Sequence, residues 1–492
     1  MRSALLLVFA AAATSAPRVP GPLLEIRLLG QIASDSSRDG DPLRAVVIAP
    51  LEVDGKVVLS AGTLVHGAVR RARAVGLGFA RERAWIDLEF SAFEPVGGVR
   101  APFSAVLRAI DNGREEVQRS GRIRGILAAD GPGGYIRGLW MRPSMGLFPR
   151  AAMGLTGGTG MAWSRLALGP VGAVGLFAAR SAILRWPEPE IRLPAGTEMR
   201  LELGSVPSAA ADPPAIAPRE APADLADEPF TLAKPGGRAA DDLINAAFLG
   251  SRDELSAAFL AAGWVATDPL TRKSFGRAYK AFLTMGGYPA APVSPMLYRG
   301  RLPDVVFQKS LNTIAKRHHI RVWRAGEREG RDLWLAAATH DAAMTFDIRA
   351  MTLTHVIDAR IDQERTKVIS DLLFAGCAEP AAFVDRAAAA RERPIETDGR
   401  LAVIRLLHCE TAATGYSLDV EPLDRGLLSR AIRRTVLETR NYVVRGNVYY
   451  HAFKVAQWRP PRPRNGERSS LRSTRDVRPP QPLSTPDSRR SD

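Results

Sequence analysis

The segment PSAAADPPAIAPREAPADLADEP, residues 207–229, sets the plan of this chain. It is built of Pro, Ala and acids, and it holds few large apolar residues. Such a composition buries too little apolar surface to offset the entropy of ordering. One core running through it is therefore excluded. The 492 residues divide into two folded parts joined by a linker at 205–237.

The part before the linker, residues 22–204, reads as an all-β domain, a sandwich or a small barrel. Leu43 to Ile48 is rich in β-formers. Asp54-Gly55 marks a hairpin turn, because both tolerate positive φ. Ile86, Leu88 and Phe90 alternate with Asp87, Glu89 and Ser91, the pattern of a half-buried strand. VVLSAGTLVHGAV (57–69) and IRLPAGTEMRLEL (191–203) repeat a strand, an Ala-Gly-Thr turn and a second strand. The two copies read as parts of one β domain flanking a Gly-rich apolar helical insert at 143–185. Gly154 and Gly158, then Gly169, Gly172 and Gly175, form a small-residue stripe of the kind that lets helices approach in lipid. Pro170 and Arg180 interrupt the longer apolar run. Two readings stay open: membrane contact through 151–185 as an interfacial hairpin, or a hairpin packed on its own domain or on a second copy in a homo-oligomer.

Residues 1–16 carry Arg2, an apolar run from Ala4 to Ala13 and small residues at Ala11, Ala13 and Ala16. This is the pattern of a secretory signal peptide. It places the protein in the periplasm or cell envelope and argues against a nucleic-acid partner. The net charge of +15, from 67 basic and 52 acidic residues, favours an anionic lipid or envelope polymer as partner. Part of the excess lies in residues 457–492, a basic tail of Pro, Arg and Ser expected to be disordered. Cys377 and Cys409 form either one disulfide or two buried thiols, and they are too few for a zinc site.

Residues 238–456 read as an α+β domain with a mixed or antiparallel sheet. Helices are expected at Ala240–Leu249, after the capping box Ser251-x-x-Glu254, at Thr271–Met285 with Phe275, Tyr279, Phe282 and Leu283 inward, and at Asp362–Phe374. A basic helix is expected at Leu427–Arg440. Strands are expected at His318–Arg324, Leu333–Asp341, Thr352–Asp358, Leu401–Cys409 and Tyr442–Phe453.

The portable motifs of catalysis are absent. The chain has no His-Glu-x-x-His, Cys-x-x-Cys, Gly-x-Ser-x-Gly or Walker loop. A constellation stands in their place. Four of the seven histidines (His318, His319, His340 and His355) lie between Tyr298 and Arg365. Alternation puts Trp334, Ala336, Ala338 and His340 on one strand face, and Leu353, His355 and Ile357 on another. If those strands pair, His340 and His355 lie side by side on one apolar face. His340, His355, Asp341 and Asp358 are then the catalytic candidates. His319, His340, His355 and Glu364 are the candidate ligands of a divalent metal that would activate water. The competing reading is structural: buried histidines bonded to neighbours and acids capping a helix. His66, His408 and His451 read as packing or surface residues. Arg433, Arg434 and Arg440, with Lys454, form either a solvated face or an anion-facing one.

Arg301-x-x-Asp304, Phe307-Gln308, Arg317-His318-His319-x-Arg321-x-Trp323, Trp334, Ala338-Thr339-His340-Asp341, Thr354-His355-x-Ile357-Asp358 and Ile361-Asp362-x-Glu364-Arg365 together resemble the C-terminal domain of the LssY family. The lead-in with Asp242, Asn245, Gly250-Ser251 and Ala262-Gly263-Trp264 is similar too. The resemblance covers about 238–456. It implies a role in type I secretion or the envelope. In longer members this domain follows DedA-like and lipid-phosphatase-like membrane domains, both lacking here, so no phosphatase activity and no catalytic residues carry over. The expectation is an exported envelope protein that binds an anionic envelope component or assists secretion or envelope assembly. The alternative is a metal-dependent hydrolase of phosphate or glycan esters using the His/Asp cluster of residues 319–364.

Overall fold

A computed structural model of the chain describes residues 21–53, 56–76, 81–127, 189–205, 218–237, 239–347, 352–386, 395–409, 432–433 and 436–437. The leader at 1–16, the insert at 143–185, the strand at Tyr442–Phe453 and the tail lie outside these residues. So does most of the basic helix.

The repeated Ala-Gly-Thr turns organise the first part. Gly62 and Gly196 both take positive φ, 90° and 89°, the region glycine enters without steric cost. Each turn docks on the end of an earlier strand in the same way. Gly62 N–H donates to Val47 O at 2.9 Å, and Gly196 N–H donates to Leu28 O at 2.8 Å. Val47 N–H and Leu28 N–H return bonds to Thr63 O and Thr197 O, both at 2.8 Å.

The strands so placed are β1 (Leu23–Leu28), β2 (Pro42–Val47), β3 (Leu64–Arg73), β4 (Trp85–Glu94), β5 (Ala101–Ile110) and β6 (Glu198–Leu203). They pair in the order β3–β2–β1–β6–β5–β4, and β4 returns to β3. The sheet therefore closes into a six-stranded antiparallel barrel, which leaves those strands no open edge. Ile26, Val47, Val65, Ile86, Phe90, Leu201 and their neighbours fill it. Leu437 joins this core. Arg433 bonds to Glu190 and to the Val75 carbonyl, so it belongs to the barrel and is not a lipid-facing cation.

The second half of the expected linker is folded. Ala223–Asp227 forms a 3-10 turn that buries Leu225, and Thr231–Ala233 pairs with Ala239–Leu243. The expected helix at Ala240–Leu249 is likewise absent. The chain there forms that second strand and then β7 (Ala246–Leu249). A short apolar run does not distinguish strand from helix, and the sheet environment decides.

β7 lies in a mixed sheet with β8 (Val265–Ala266), β9 (Val305–Lys309), β10 (Arg317–Arg328), β11 (Arg331–Asp347), β12 (Thr352–Ile357), β13 (Ala382–Val384) and β14 (Leu401–Arg405). The order is β8–β9–β10–β11–β7–β14–β13, and β12 pairs with the far end of β11. Only β7–β14 is parallel among these pairs. Two capped helices, α1 (Arg252–Ala261) and α3 (Ile361–Phe374), cover one face through Leu255, Phe259, Val368 and Leu372. The Ser251–Glu254 capping box is present on α1. The other face packs Trp323, Leu333 and Leu335 against Leu225 and Leu232. Buried on both faces, β11 can carry the run Leu333–Ala338 without a polar residue.

Helix α2 (Arg272–Thr284) forms where its sequence indicates, with Thr271 and Ser274 as capping box. Its orientation meets expectation at Phe282 and Leu283 and differs at Phe275 and Tyr279. Phe275 and Tyr279 face outward, and Ser274, Ala281 and Leu283 face the protein. Cys377 and Cys409 form a disulfide with Cα atoms 4.7 Å apart, which ties the end of α3 to the chain beyond β14.

Candidate functional site

Alternation along β10 separates its two histidines. His318 pairs with His340 across β10–β11, while His319 pairs with Thr339. His318 and His340 therefore share the face covered by α3, and their rings stack with centroids 4.6 Å apart. Glu364, one turn into α3, lies 2.6 Å from Nδ1 of His318. The other ring nitrogen, Nε2, lies 2.9 Å from Asp111. Asp111 follows the last residue of barrel strand β5, so the barrel and the second part build this cluster jointly.

The electrostatics follow from that geometry. Burial opposes the charge on His318, but Asp111 and Glu364 outweigh it and push the imidazole up to about 10. Asp111 also resists burial, and His318 and Lys367 hold it far below the usual carboxylate range. His340 moves the other way, lowered by burial and by the charge on His318. Among the described residues, His340 Nε2 and Glu364 Oε1 have no hydrogen-bond partner.

The ligand atoms of Asp111, His318 and His340 lie within 4.8 Å of one another. They line a cleft of about 600 Å³ together with Asp358, Glu364 and Lys367. Barrel residues Leu23, Glu25 and Arg200 line its other side. Two imidazoles and a carboxylate are a donor set suited to zinc or a similar divalent ion. Glu364 on the second nitrogen of His318 is the usual orienting partner of such a ligand.

Behind the cleft runs a buried ionic network. Lys309 reaches Glu198 at 2.7 Å and Asp371 at 3.0 Å. Arg27 reaches the same two acids at 2.8 and 3.3 Å. Lys367 bonds to Glu198 and lies 3.3 Å from Asp371 and 3.9 Å from Asp111. Trp264 donates its indole N–H to Asp371 at 2.9 Å. The acids Asp111 and Glu198 come from the barrel side, the two lysines and Asp371 from the other.

The structure divides the sequence-derived candidates. His340, Asp358 and Glu364 reach the cleft. His319, Asp341 and His355 lie on the opposite face. There Arg317 holds Asp341 at 2.7 Å, and Asp341 is 3.1 Å from His355 and 3.6 Å from His319. Nε2 of His319 also meets the Thr339 hydroxyl at 2.7 Å. The expected side-by-side pair of His340 and His355 does not form. Met344, not His340, is opposite His355, because Asp341 pairs with Ile357 and so sets His340 beside Asp358 instead. His319, His340, His355 and Glu364 therefore cannot ligate one ion.

Asp111, His318 and Lys367 were missed. His318 had a readable signal. Glu329-Gly330 makes a two-residue turn at positive φ between β10 and β11. Counting back from it sets His318 opposite Asp341, one residue from the His340 that it meets. Asp111 carried none, since it is remote in sequence.

Residues 230–401 match the family model described as LssY C-terminus. The match begins before and ends well before the bounds expected from the motifs. No curated protein matches the chain. Asp111, Glu198 and Arg27 fall outside the matched stretch, whereas His318, His340 and Glu364 fall inside it. The chain thus carries an LssY C-terminal domain over residues 230–401, and a six-stranded barrel precedes it.

Proposed function

We propose that the cleft is the site of a metal-assisted hydrolase acting on phosphate esters outside the cytoplasm. The observation that carries this reading is the convergence of Asp111, His318 and His340 within 4.8 Å at a cleft. A divalent ion there would displace to solvent the proton that His318 Nε2 shares with Asp111, and would take that nitrogen, a ring nitrogen of His340 and a carboxylate oxygen of Asp111. Glu364 would keep the proton on Nδ1 of His318, as it does at 2.6 Å. A metal ion in such a set lowers the pKa of bound water toward neutrality. The proton that water loses would pass to solvent, since Asp358 at the rim is held by Arg360 on both carboxylate oxygens. The water oxygen would then bond to phosphorus as the P–O ester bond breaks, and the alcohol would leave with a proton from solvent. Lys367, paired with Glu198, and the rim arginines Arg360 and Arg400, paired with Asp358 and Asp398, also line the cleft and would add charge for the phosphoryl oxygens.

The disulfide supports an oxidising compartment, and the net charge of +15 supports an anionic envelope substrate. No described helix is long and apolar enough to cross a membrane.

The test uses the full chain. It is loaded with Zn²⁺ or Mn²⁺, its metal content is measured, and hydrolysis of p-nitrophenyl phosphate and its diester is followed with and without a chelator. The reading expects about one bound ion per chain and activity lost on chelation. Asp111→Asn and His340→Ala should each fall at least a hundredfold in activity and bind the ion more weakly. A folded protein that takes up no ion, or activity that survives in both variants, overturns it. In that event the cluster is an ionic lock between barrel and LssY domain.

A further inference from the structure

Helix α2 presents two aromatic side chains to solvent, where α1 and α3 each expose one leucine. Phe275 is 63% exposed and Tyr279 45%, and Leu270 just before the N-cap is 67% exposed. Phe275 and Tyr279 are one turn apart and so share a face. Gly276 adds nothing to that face, and a Cβ built on it meets no atom within 4 Å. The remaining exposed positions are basic: Arg272, Lys273, Arg277 and Lys280. The helix sequence RKSFGRAYKAFLT contains no acid.

Arg277 is engaged by Asp268 at 3.0 Å and lies over the Tyr288 ring. Arg272, Lys273 and Lys280 have no ion-pair partner among the described residues. Thr271, Ser274 and the left-handed cap at Met285 fix the helix from both ends, and Ala281, Ile314 and Tyr288 pack its inner side. The outward face is therefore preformed and is not needed for the fold.

We infer that the outer face of α2 docks on an anionic lipid surface, with Phe275, Tyr279 and Leu270 entering the headgroup layer and Arg272, Lys273 and Lys280 meeting lipid phosphates. Aromatic rings between water and acyl chains, rimmed by cations, are the composition of a helix lying in a bilayer interface. A soluble acidic protein would account for the cations but leave two exposed rings and a leucine without purpose. A lipid surface accounts for both. The helix has 13 residues, about 20 Å at 1.5 Å per residue, so it lies on the membrane and does not cross it. This inference rests on α2 alone and does not depend on chemistry in the cleft.

The full chain is mixed with vesicles of phosphatidylglycerol and phosphatidylethanolamine, or of phosphatidylcholine alone, and bound protein is separated by flotation. Wild type should bind the anionic vesicles and release them as salt rises. Phe275→Ser with Tyr279→Ser should weaken binding at least tenfold. Lys273→Glu with Lys280→Glu should weaken it more, since each cation near such a surface contributes about fivefold in affinity. Both double variants should keep the wild-type melting temperature. An environment-sensitive dye on Phe275→Cys should brighten with anionic vesicles and stay dark with polyglutamate. Variants that float as wild type does, or a dye that responds to polyglutamate and not to vesicles, overturn the inference.

Discussion

Glu198 is the most informative residue to change. Its carboxylate receives Arg27 at 2.8 Å and Lys309 at 2.7 Å, and Lys367 bonds to it as well. The side chains of Arg27, Glu198, Lys309 and Lys367 are at most 15% exposed. Glu198→Gln keeps the shape and removes the charge. At about 3 Å and an effective dielectric near 20, each cation gains roughly 5 kcal/mol of attraction. The cost of drying the ions offsets most of that. What remains when one partner is removed from a buried set is about 3–5 kcal/mol, because the cations stay behind without full compensation.

Urea unfolding followed by tryptophan fluorescence reads this directly, since the Trp264 indole donates to Asp371 within the same network. The control is Glu116→Gln. Glu116 is 67% exposed and 3.8 Å from Arg124, and such a pair contributes about 0–1 kcal/mol. A second arm adds Lys309→Met. If the network is coupled, the double variant loses at least 1 kcal/mol less than the sum of the singles. A Glu198→Gln loss no larger than the control, or strictly additive singles, refutes the claim that these ions hold the barrel to the LssY domain.

Other outcomes follow from the same geometry. His355 is pushed down to about 3 from an ordinary 6.5 by burial and then by Arg317. The unfolded chain therefore takes up a proton that the folded chain declines as pH falls from 6.5 toward 3. Stability should drop through that window, by about 2–3 kcal/mol at pH 4.5. His355→Asn should reduce this slope by that amount in denaturation curves at pH 7, 5.5 and 4.5, the lowered imidazoles of His319 and His340 keeping the rest, and an unchanged slope tells against the assignment. The disulfide spans 32 residues, so reduction or Cys409→Ala should cost about 4 kcal/mol by loop closure. Equal urea midpoints with and without reductant would contradict it. Gly67 lies on the β3–β4 seam, where a Cβ would stand 2.1 Å from the Glu89 carbonyl oxygen. Gly67→Ala should destabilise the barrel by about 1–3 kcal/mol, and a variant as stable as wild type would mean the seam is looser than described.

Much of the architecture was legible from local signals. The twin Ala-Gly-Thr turns marked one β domain, and both prove to dock in the same way on neighbouring strands. The Ser251–Glu254 box, the strands at 318–324 and 333–341 and the helix at 362–374 were readable from capping and alternation. Local signals failed wherever tertiary context chose between equal options. Ala246–Leu249 is apolar at every position, so it fits a helix or a central strand. Asn245 shows what decided it: its amide group bonds to both the carbonyl and the N–H of Ala338, extending the ladder beyond the strand. Phe275 and Tyr279 gave the right period for α2 and the wrong side. In β10 and β11, a strict count from the Glu329-Gly330 turn would set His318 opposite Asp341. A bulge between Arg324 and Gly326 slips the pairing by one and brings His318 to His340. Gly326, inside the strand at a φ of 131°, marks that bulge, and the two-imidazole cluster depends on it.

The ionic contacts also say why barrel and LssY domain occur as one unit in this chain. From His318 to Arg27 the contacts connect four cations, Arg27, Lys309, Lys367 and protonated His318, with four anions, Asp111, Glu198, Glu364 and Asp371. The LssY domain contributes three of the cations and two of the anions, a residual of +1. The barrel contributes two anions and one cation, a residual of −1. Neither side is balanced alone, and each leaves ions that would be costly to dry without the other. The charge that completes the buried set is also the carboxylate, Asp111, that completes the cleft. A domain occupying the barrel's place must therefore present an acid at that point, both to be held there and to leave His318 and His340 with a third ligand.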